Sequence, residues 1–150
     1  MSNLDKTPVV EALRQVVADC YAIIGLTHVC HWNVRGPSFF TLHNAFEAQY
    51  TELFVATDEI AERIRALGSL APGGLETLAK MSGIAEIAED APAEEMVAHL
   101  IRANEKLVGD LGKARAAAAE ASDHESEDLM IARTQVHEKT LWMLRSFLGN

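Results

Sequence analysis

Five side chains of the metal-ligand type stand out in this sequence: His31, His43, Glu47, Asp58 and Glu62. The last four fall within one predicted helix, where a rotation of about 100° per residue places them on a single stripe about 100° wide. At a rise of about 1.5 Å per residue, however, His43 and Asp58 lie roughly 22 Å apart along the helix axis. No metal ion spans that distance. The spacing therefore predicts that a complete site needs a second copy of the chain, packed antiparallel across a two-fold axis.

Carboxylates and imidazoles without a thiolate form a donor set that suits iron, and also manganese or zinc. An open site of this kind would hold Fe²⁺ loosely enough for an oxidised product to leave. The alternative is that the three carboxylates are solvated surface charges and that the two histidines merely flank a loop, because exposed charges are the norm. The chain has no Glu-x-x-His pair, which diiron bundles usually contribute from two helices. An iron site here would therefore differ from the usual intrachain one.

Length and composition indicate a single domain over residues 1–150. The chain is 49% hydrophobic, with 4 Pro and 9 Gly, which argues against disorder and against a turn-rich β protein. Its net charge of −9 disfavours nucleic acid and anionic membranes as partners and suits the attraction of cations.

Cysteine placement and the absence of targeting signals indicate a cytoplasmic protein without a membrane span. Cys20 and Cys30 would lie roughly 15 Å apart on one helix, so they cannot pair and are interpreted as reduced thiols. Residues 1–8 lack the basic and apolar pattern of a signal peptide. The most apolar segment, 16–30, contains Asp19 and His28 and is too short and too polar to cross a membrane.

Hydrophobic periodicity predicts an all-α protein with four long helices and a short one in the connection between the second and the third. The helices end where Gly and Pro make continuation unfavourable, as at residues 33–37, 68 and 72–74. The predicted long helices cover about 7–31, 38–67, 93–119 and 122 to near the C-terminus, and the short helix covers 75–81.

Particular residues are expected to start these helices and to face the core. Thr7 followed by Pro8 is a predicted N-cap and first-turn pair, and Ser122 with Glu125 fits a capping box. In the last helix the predicted inward residues are Leu129, Val136, Met143 and Phe147. Apolar stripes are also predicted for the other long helices: Val10, Leu13, Val17, Cys20, Ile24 and Thr27 in the first, Leu42, Phe46, Tyr50, Leu53, Ile60, Ile64 and Leu67 in the second, and Met96, Leu100, Leu107 and Leu111 in the third.

The remaining histidines and Trp32 have weaker patterns. His28 precedes His31 by about one turn, so it either approaches the site or serves as a hydrogen-bonded helix residue. Trp32 is interpreted as a core or interface aromatic. Surface positions are predicted for His99, His124 and His137, which lack ligand-like spacing.

An acidic cluster marks the start of the last helix, with Asp123, Glu125, Glu127 and Asp128. Carboxylates at a helix N-terminus interact favourably with the helix dipole, so capping is a sufficient explanation. In an oligomer the same cluster would be able to line a cation pore. The sequence leaves both interpretations open.

Several motifs together strongly resemble the Dps family, the miniferritins named as DNA-binding proteins from starved cells. The resemblance spans essentially the whole chain. It implies a ferritin-like four-helix bundle with a short helix in the middle connection. The motifs are residues 31–37 (HWNVRGP), 42–43 (LH), 46–47 (FE), Tyr50, Asp58, 61–63 (AER), 67–68 (LG) and 139–142 (KTLW).

The family resemblance also implies an activity and an assembly. Twelve subunits would form a hollow shell with ferroxidase centres at its two-fold interfaces. There Fe²⁺ would be oxidised, preferentially by hydrogen peroxide, and the ferric product would be mineralised inside. Such an enzyme would consume peroxide and protect the cell against oxidative stress.

Carried over by position, His31, His43 and Glu47 of one subunit would face Asp58 and Glu62 of its partner. Glu47 stands where many relatives have Asp, and its extra methylene is expected to keep the chemistry while shifting affinity. The resemblance also suggests Trp32, and more distantly His28, as neighbours of the centre, and Asp123 with Asp128 as pore residues.

Two other functions compete with iron oxidation. One is a nucleoid-associated protein that compacts DNA, since relatives that condense DNA often carry a lysine-rich tail. Here the segment before the first helix offers only Lys6, next to Asp5, and the chain is strongly acidic. We therefore expect weak or no direct DNA binding at neutral pH. The other is a helical adaptor with incidental histidines, which the specificity of the motifs argues against.

Overall fold

The computed structural model describes residues 4–150, which form five helices and no strand. Four long helices make a ferritin-like bundle, and a short fifth helix lies in the connection between the second and the third long ones. The predicted all-α architecture is confirmed. The helices are α1 (Thr7–Asn33), α2 (Phe39–Ala66), α3 (Leu75–Ser82), α4 (Ala93–Glu120) and α5 (His124–Phe147).

The first helix begins at Thr7, within the predicted bounds, but its N-cap differs from the predicted one. Lys6, rather than Thr7, is the N-cap, and its side chain makes no capping bond. The backbone N–H of Thr7 instead donates to Oδ1 of Asp5 at 2.9 Å. Pro8 lies in the first turn, where its missing N–H costs nothing. Lys6 Nζ donates to the carbonyl of Ala121 at 3.1 Å, which ties the start of α1 to the end of α4.

The core follows the predicted apolar stripes in the first three long helices. α1 packs against α2, α3 and α4, while α5 packs against α4 and less closely against α2. Within α2, Tyr50 and Leu67 are only half-buried at the margin of the stripe. The predicted residues that are buried include Val10, Leu13, Val17, Cys20, Ile24 and Thr27 of α1, and Met96, Leu100, Leu107 and Leu111 of α4.

The predicted inward face of α5 is wrong in the second half of the helix, whereas Leu129, which packs against the core, and Val136 are half-buried. Met143 is 47% exposed and Phe147 36% exposed. The residues that α5 buries are Ser126, Met130, Arg133, His137, Leu141 and Leu144. Three of these six are polar, so hydrophobicity alone selects the wrong side of the helix.

His137 was expected at the surface, and it is buried instead, with 3% exposure. Its Nδ1–H donates to Oδ1 of Asn104 at 2.9 Å, and Arg133 Nη2 donates to its Nε2 at 2.9 Å. The same guanidinium forms an ion pair with Glu52, linking α5 to α2. Burial, aided by the charge of Arg133, lowers the pKa of His137 to about 4, so the ring is neutral at pH 7.

The capping residue of α5 is Asp123 rather than the predicted Ser122. Ser122 has a φ of 54°, a left-handed conformation that reverses the chain between α4 and α5. The Asp123 carboxylate accepts from Ser126 twice, from the backbone N–H at 3.1 Å and from Oγ at 2.7 Å. Arg63 Nη2 also donates to it at 2.8 Å. These contacts fit the capping interpretation of Asp123, while Asp128 is exposed.

None of the helices within residues 4–150 is both long and apolar enough to cross a membrane.

Candidate metal centre

The end of α1 and the start of α2 bring His31 and His43 together. α1 ends at Asn33, and Gly36 adopts a φ of 105°, which lets the chain turn before α2 starts. The two imidazole rings stack with their centroids 3.7 Å apart and their planes 13° from parallel. His31 is buried and His43 half-buried. The predicted pair is therefore adjacent in space although twelve residues separate the two in sequence.

The two rings are held by a reciprocal pair of hydrogen bonds. His31 Nδ1 lies 2.8 Å from the carbonyl oxygen of His43, and His43 Nδ1 lies 2.7 Å from that of His31. A carbonyl oxygen can only accept, so each Nδ1 carries the proton and donates. Each Nε2 then presents a lone pair, which is the form of imidazole that binds a metal ion.

Aromatic side chains pack around this pair. His28 stacks on Trp32, with centroids 5.0 Å apart and planes 4° from parallel, and lies 4.2 Å from the ring of Tyr50. Tyr50 also meets His31 edge-on at 5.2 Å. Trp32 itself is 65% exposed. Burial lowers the pKa of His28, and the charge of His31 adds to this effect. His28 thus belongs to an aromatic cluster that reaches His31 through Tyr50.

The acidic residues form a separate group further along α2. Asp58 and Glu62 are exposed and one helical turn apart. A hydrogen bond with Asp58, together with its negative charge, raises the pKa of Glu62, and Glu59 adds to this effect. Two neighbouring carboxylates that repel each other are stabilised by a proton or a cation between them. Glu47 is also exposed and lies one turn after His43, on the histidine side of α2.

A single chain does not bring the five predicted ligands together. Within residues 4–150, no three His, Cys, Asp or Glu side chains are grouped so that they could hold a metal ion. The histidines with Glu47 and the Asp58–Glu62 pair lie at different positions along the same chain, and that they are the two halves of one site is a prediction. That a second copy completes them stays a prediction.

A cavity of about 650 Å³ opens beside Glu47, between α2 and α5. Most of its polar lining is oxygen-bearing, and Arg133 contributes the positive charge. The polar lining residues are Asn44, Glu47, Thr51, Glu52, Glu59 and Arg133.

A family model described as a ferritin-like domain matches residues 10–150. The chain is 39% identical to DNA protection during starvation protein 2 of Bacillus anthracis, over 94% of this chain and 97% of that protein. The chain belongs to the Dps family of ferritin-like proteins. This confirms the resemblance that the sequence motifs indicated.

Solved Dps structures have the same fold. Dps from Staphylococcus aureus superposes with a TM-score of 0.93 at 36% identity, covering 97% of both chains. Dps from Vibrio cholerae O1 gives a TM-score of 0.91 at 29% identity, covering 97% of this chain and 93% of the other. The latter is described as a member of a broad superfamily of ferritin-like diiron-carboxylate proteins.

Sequence reasoning missed what fixes the histidine rings. The acceptors are the backbone carbonyls of His31 and His43 themselves, which have no residue-type signature. A second unpredicted contact lies next to Glu62. Its neighbour Arg63 binds Ser126 of α5 and Asp123, the N-cap of that helix. Tyr50 contacts His31, and Arg63 contacts the start of α5. The sequence signalled these contacts only by placing Tyr50 and Arg63 inside the family motifs.

Proposed function

We propose that this protein is a miniferritin that oxidises Fe²⁺ at ferroxidase centres shared between two subunits. It stores the ferric product in a hollow shell of twelve copies and uses hydrogen peroxide as its preferred oxidant. The observation that carries this proposal is the reciprocal bonding of His31 and His43, which leaves both Nε2 lone pairs available. A merely structural histidine pair has no need to leave both of these atoms unbonded.

In this proposal each half-site has its own task. His31, His43 and Glu47 provide two imidazole nitrogens and a carboxylate, a donor set that Fe²⁺ accepts. The partner subunit's Asp58 and the partner subunit's Glu62 provide the remaining carboxylates. Their mutual repulsion in the single chain is relieved when a cation lies between them.

The reaction balances as a two-electron reduction of peroxide. Two Fe²⁺ ions each give one electron to one H₂O₂ molecule, whose O–O bond breaks. With two water molecules, the products are two FeO(OH) and four protons. No hydroxyl radical is released, which is how such a protein limits oxidative damage. The oxygen-lined cavity beside Glu47 offers the first place for the ferric product on its way into the shell.

The relatives support this function in two ways. One relative is described as belonging to the ferritin-like diiron-carboxylate proteins, which agrees with the donor types found here. Another is named for the protection of DNA during starvation. We assign the same protective role to this chain and locate it in the cytoplasm, where the buried thiols of Cys20 and Cys30 stay reduced.

DNA compaction in the nucleoid is the second candidate, and the charges argue against it. The chain carries a net charge of −9, so a shell of twelve copies repels the phosphate backbone. The one lysine before α1, Lys6, donates to the carbonyl of Ala121. Removal of Fe²⁺ and peroxide, rather than coating of DNA, is the protective mechanism that we propose.

Replacing both histidines tests the assignment. In the His31→Ala/His43→Ala variant, we expect fast peroxide-dependent Fe²⁺ oxidation to fall at least 100-fold, measured by stopped-flow absorbance of the ferric product. Size-exclusion chromatography should show the particle size of the wild type. The matched control is His99→Ala/His124→Ala, two histidines outside the site, which should oxidise Fe²⁺ at the wild-type rate. Wild-type kinetics in the first variant would refute the site.

A further inference from the structure

Asp19 is a carboxylate buried in the apolar core of α1. It is 0% exposed. Its Oδ1 accepts from Gln15 Nε2 at 3.0 Å and from Lys106 Nζ at 3.1 Å. Its Oδ2 is also buried and has no hydrogen-bond partner among residues 4–150. A buried ionised oxygen without a donor is costly, so an additional group is expected at Oδ2.

A second carboxylate, Asp110 of α4, faces Asp19. The Lys106 ammonium bridges the two, lying 2.8 Å from Asp110 Oδ2 and 3.1 Å from Asp19 Oδ1. Lys113 approaches Asp110 only at 3.7 Å, and its side chain is 81% exposed, so solvent screens its charge. One partly exposed ammonium therefore serves two carboxylates, and the deeper of the two, Asp19, is left under-compensated.

We propose that Asp19 and Asp110 share a single proton, carried on Asp19 Oδ2, and that this proton joins α1 to α4. Taken up from solvent, it turns the orphaned Oδ2 into a donor toward the Asp110 carboxylate. The cluster then holds one ammonium, one carboxylate and one neutral carboxylic acid, so its charges balance. The site is a buried proton-binding site that is independent of the iron centre.

The pKa values of the two acids move in the directions that this arrangement requires. Burial, together with the Asp110 carboxylate, raises the pKa of Asp19 to about 7, although Gln15 and Lys106 act against it. Burial also acts to raise the pKa of Asp110, but hydrogen bonds from Asp19 and Lys106 outweigh it and lower that pKa. The proton therefore stays on Asp19 while Asp110 is ionised.

The other helices bring little charge to the pair. From α3, the carbonyl of Met81 accepts from Gln15 Nε2 at 2.8 Å, the same amide that donates to Asp19. Glu52 of α2 and Arg133 of α5 act on the thiol of Cys20, next to Asp19. Lys106 and Asp110 of α4 remain the charged groups that determine whether Asp19 is protonated.

The proton makes stability depend on pH. Asp19 has an ordinary pKa of 3.8 in the unfolded chain and about 7 in the folded one. Between these values the folded state holds a proton that the unfolded state has lost, so the contribution of Asp19 to stability decreases as the pH rises. Above pH 7 that contribution is fully lost.

Asp19→Asn tests the proposal, because the amide places an N–H donor where we place the proton. The difference in thermal midpoint between Asp19→Asn and wild type should increase in favour of the variant from pH 5 to pH 8. At pH 8 the variant should be more stable than wild type by a few degrees. The control Asp128→Asn, at an exposed position of α5, should differ from wild type by the same amount at every pH. A difference for Asp19→Asn that is constant with pH, or a variant less stable at pH 8, would overturn the proposal.

Infrared spectroscopy provides a test that does not depend on the stability of the variant. In the folded wild type at pH 6, ¹³C-labelled aspartate should show the C=O stretch of a protonated carboxylic acid. That band should disappear as the pH rises through about 7. Its absence at pH 6, or its persistence at the same intensity at pH 9, would contradict a shared proton on Asp19.

Discussion

His31 and His137 are both buried imidazoles whose Nδ1–H donates to an oxygen, but their Nε2 atoms have different surroundings. Nε2 of His137 accepts from the guanidinium of Arg133, so both ring nitrogens are occupied. In the pair formed by His31 and His43, only the Nδ1 atoms make hydrogen bonds within the described part of the chain, each to the other residue's backbone carbonyl. Both ring nitrogens of His137 are therefore used within a structural network, whereas the rings of His31 and His43 are oriented with their Nε2 lone pairs available.

This difference separates the two proposed ligands from a structural histidine in the same fold. Both types sit on long helices, and the burial of a ring does not separate them. What separates them is the partner of Nε2. A cation donor such as Arg133 excludes a metal ion from that nitrogen, whereas an Nδ1–carbonyl bond fixes the ring and leaves Nε2 free.

The largest difference between the two regions should come from His137→Ala, which should lower stability without changing Fe²⁺ oxidation. Removing this ring leaves Asn104 Oδ1 without its buried donor and takes one acceptor from Arg133, which keeps its ion pair with Glu52, so we expect a loss of about 2–3 kcal/mol in unfolding free energy. Fe²⁺ oxidation by the folded variant should match the wild type. Urea denaturation and stopped-flow oxidation measure the two effects. A variant with wild-type stability but slow oxidation would reverse the roles that we assign to the two regions.

Acid should weaken the hydrogen-bond network around His137. The pKa of His137 is about 4 when folded and 6.5 ordinarily, so the unfolded state binds a proton that the folded state excludes. The contribution of His137 to stability is therefore fully present above pH 6.5 and lost as the pH falls toward 4. His137→Gln keeps a donor and an acceptor but cannot titrate, so its thermal midpoint relative to wild type should increase on acidification. If the difference in thermal midpoint between His137→Gln and wild type were the same at pH 7 and pH 4.5, His137 would not be the source of this pH dependence.

The smallest effect should come from Glu47→Asp. Shortening the side chain by one methylene keeps the carboxylate but moves it away from the histidine pair, so we expect a change of only a few-fold in apparent Fe²⁺ affinity. Titration of the anaerobic protein with Fe²⁺ measures it, and Glu59→Asp, on the same cavity, is the control. A complete loss of Fe²⁺ binding in Glu47→Asp would mean that this carboxylate does more than add one ligand.

Much of the fold was predictable from local sequence. Pro8, Gly36 and Pro37 mark the helix limits, and the apolar stripes of α1, α2 and α4 repeat often enough to define their buried faces. The face of α5 was not predictable, because the burial of Arg133 depends on a partner, Glu52, that is 81 residues away in sequence.

The candidate site was predictable only as a set of residue types. Spacing showed that His43 and Asp58 cannot meet within one chain, and the motif placed His31 beside His43. The reciprocal carbonyl bonds depend on how closely the end of α1 approaches the start of α2, which residue types do not encode. The role of Asp19 was likewise not predictable. In the sequence it only interrupts an apolar segment, because its partner Lys106 lies 87 residues later.

Subunit complementation tests the shared centre most directly. One variant lacks the histidine half (His31→Ala/His43→Ala), and the other lacks the acidic half (Asp58→Ala/Glu62→Ala). Each alone should be inactive. Co-expression creates hybrid two-fold interfaces, each with one intact centre, so we expect about a quarter of the wild-type rate of Fe²⁺ oxidation for random pairing. A co-assembled particle as inactive as either parent would show that the two halves do not meet across subunits.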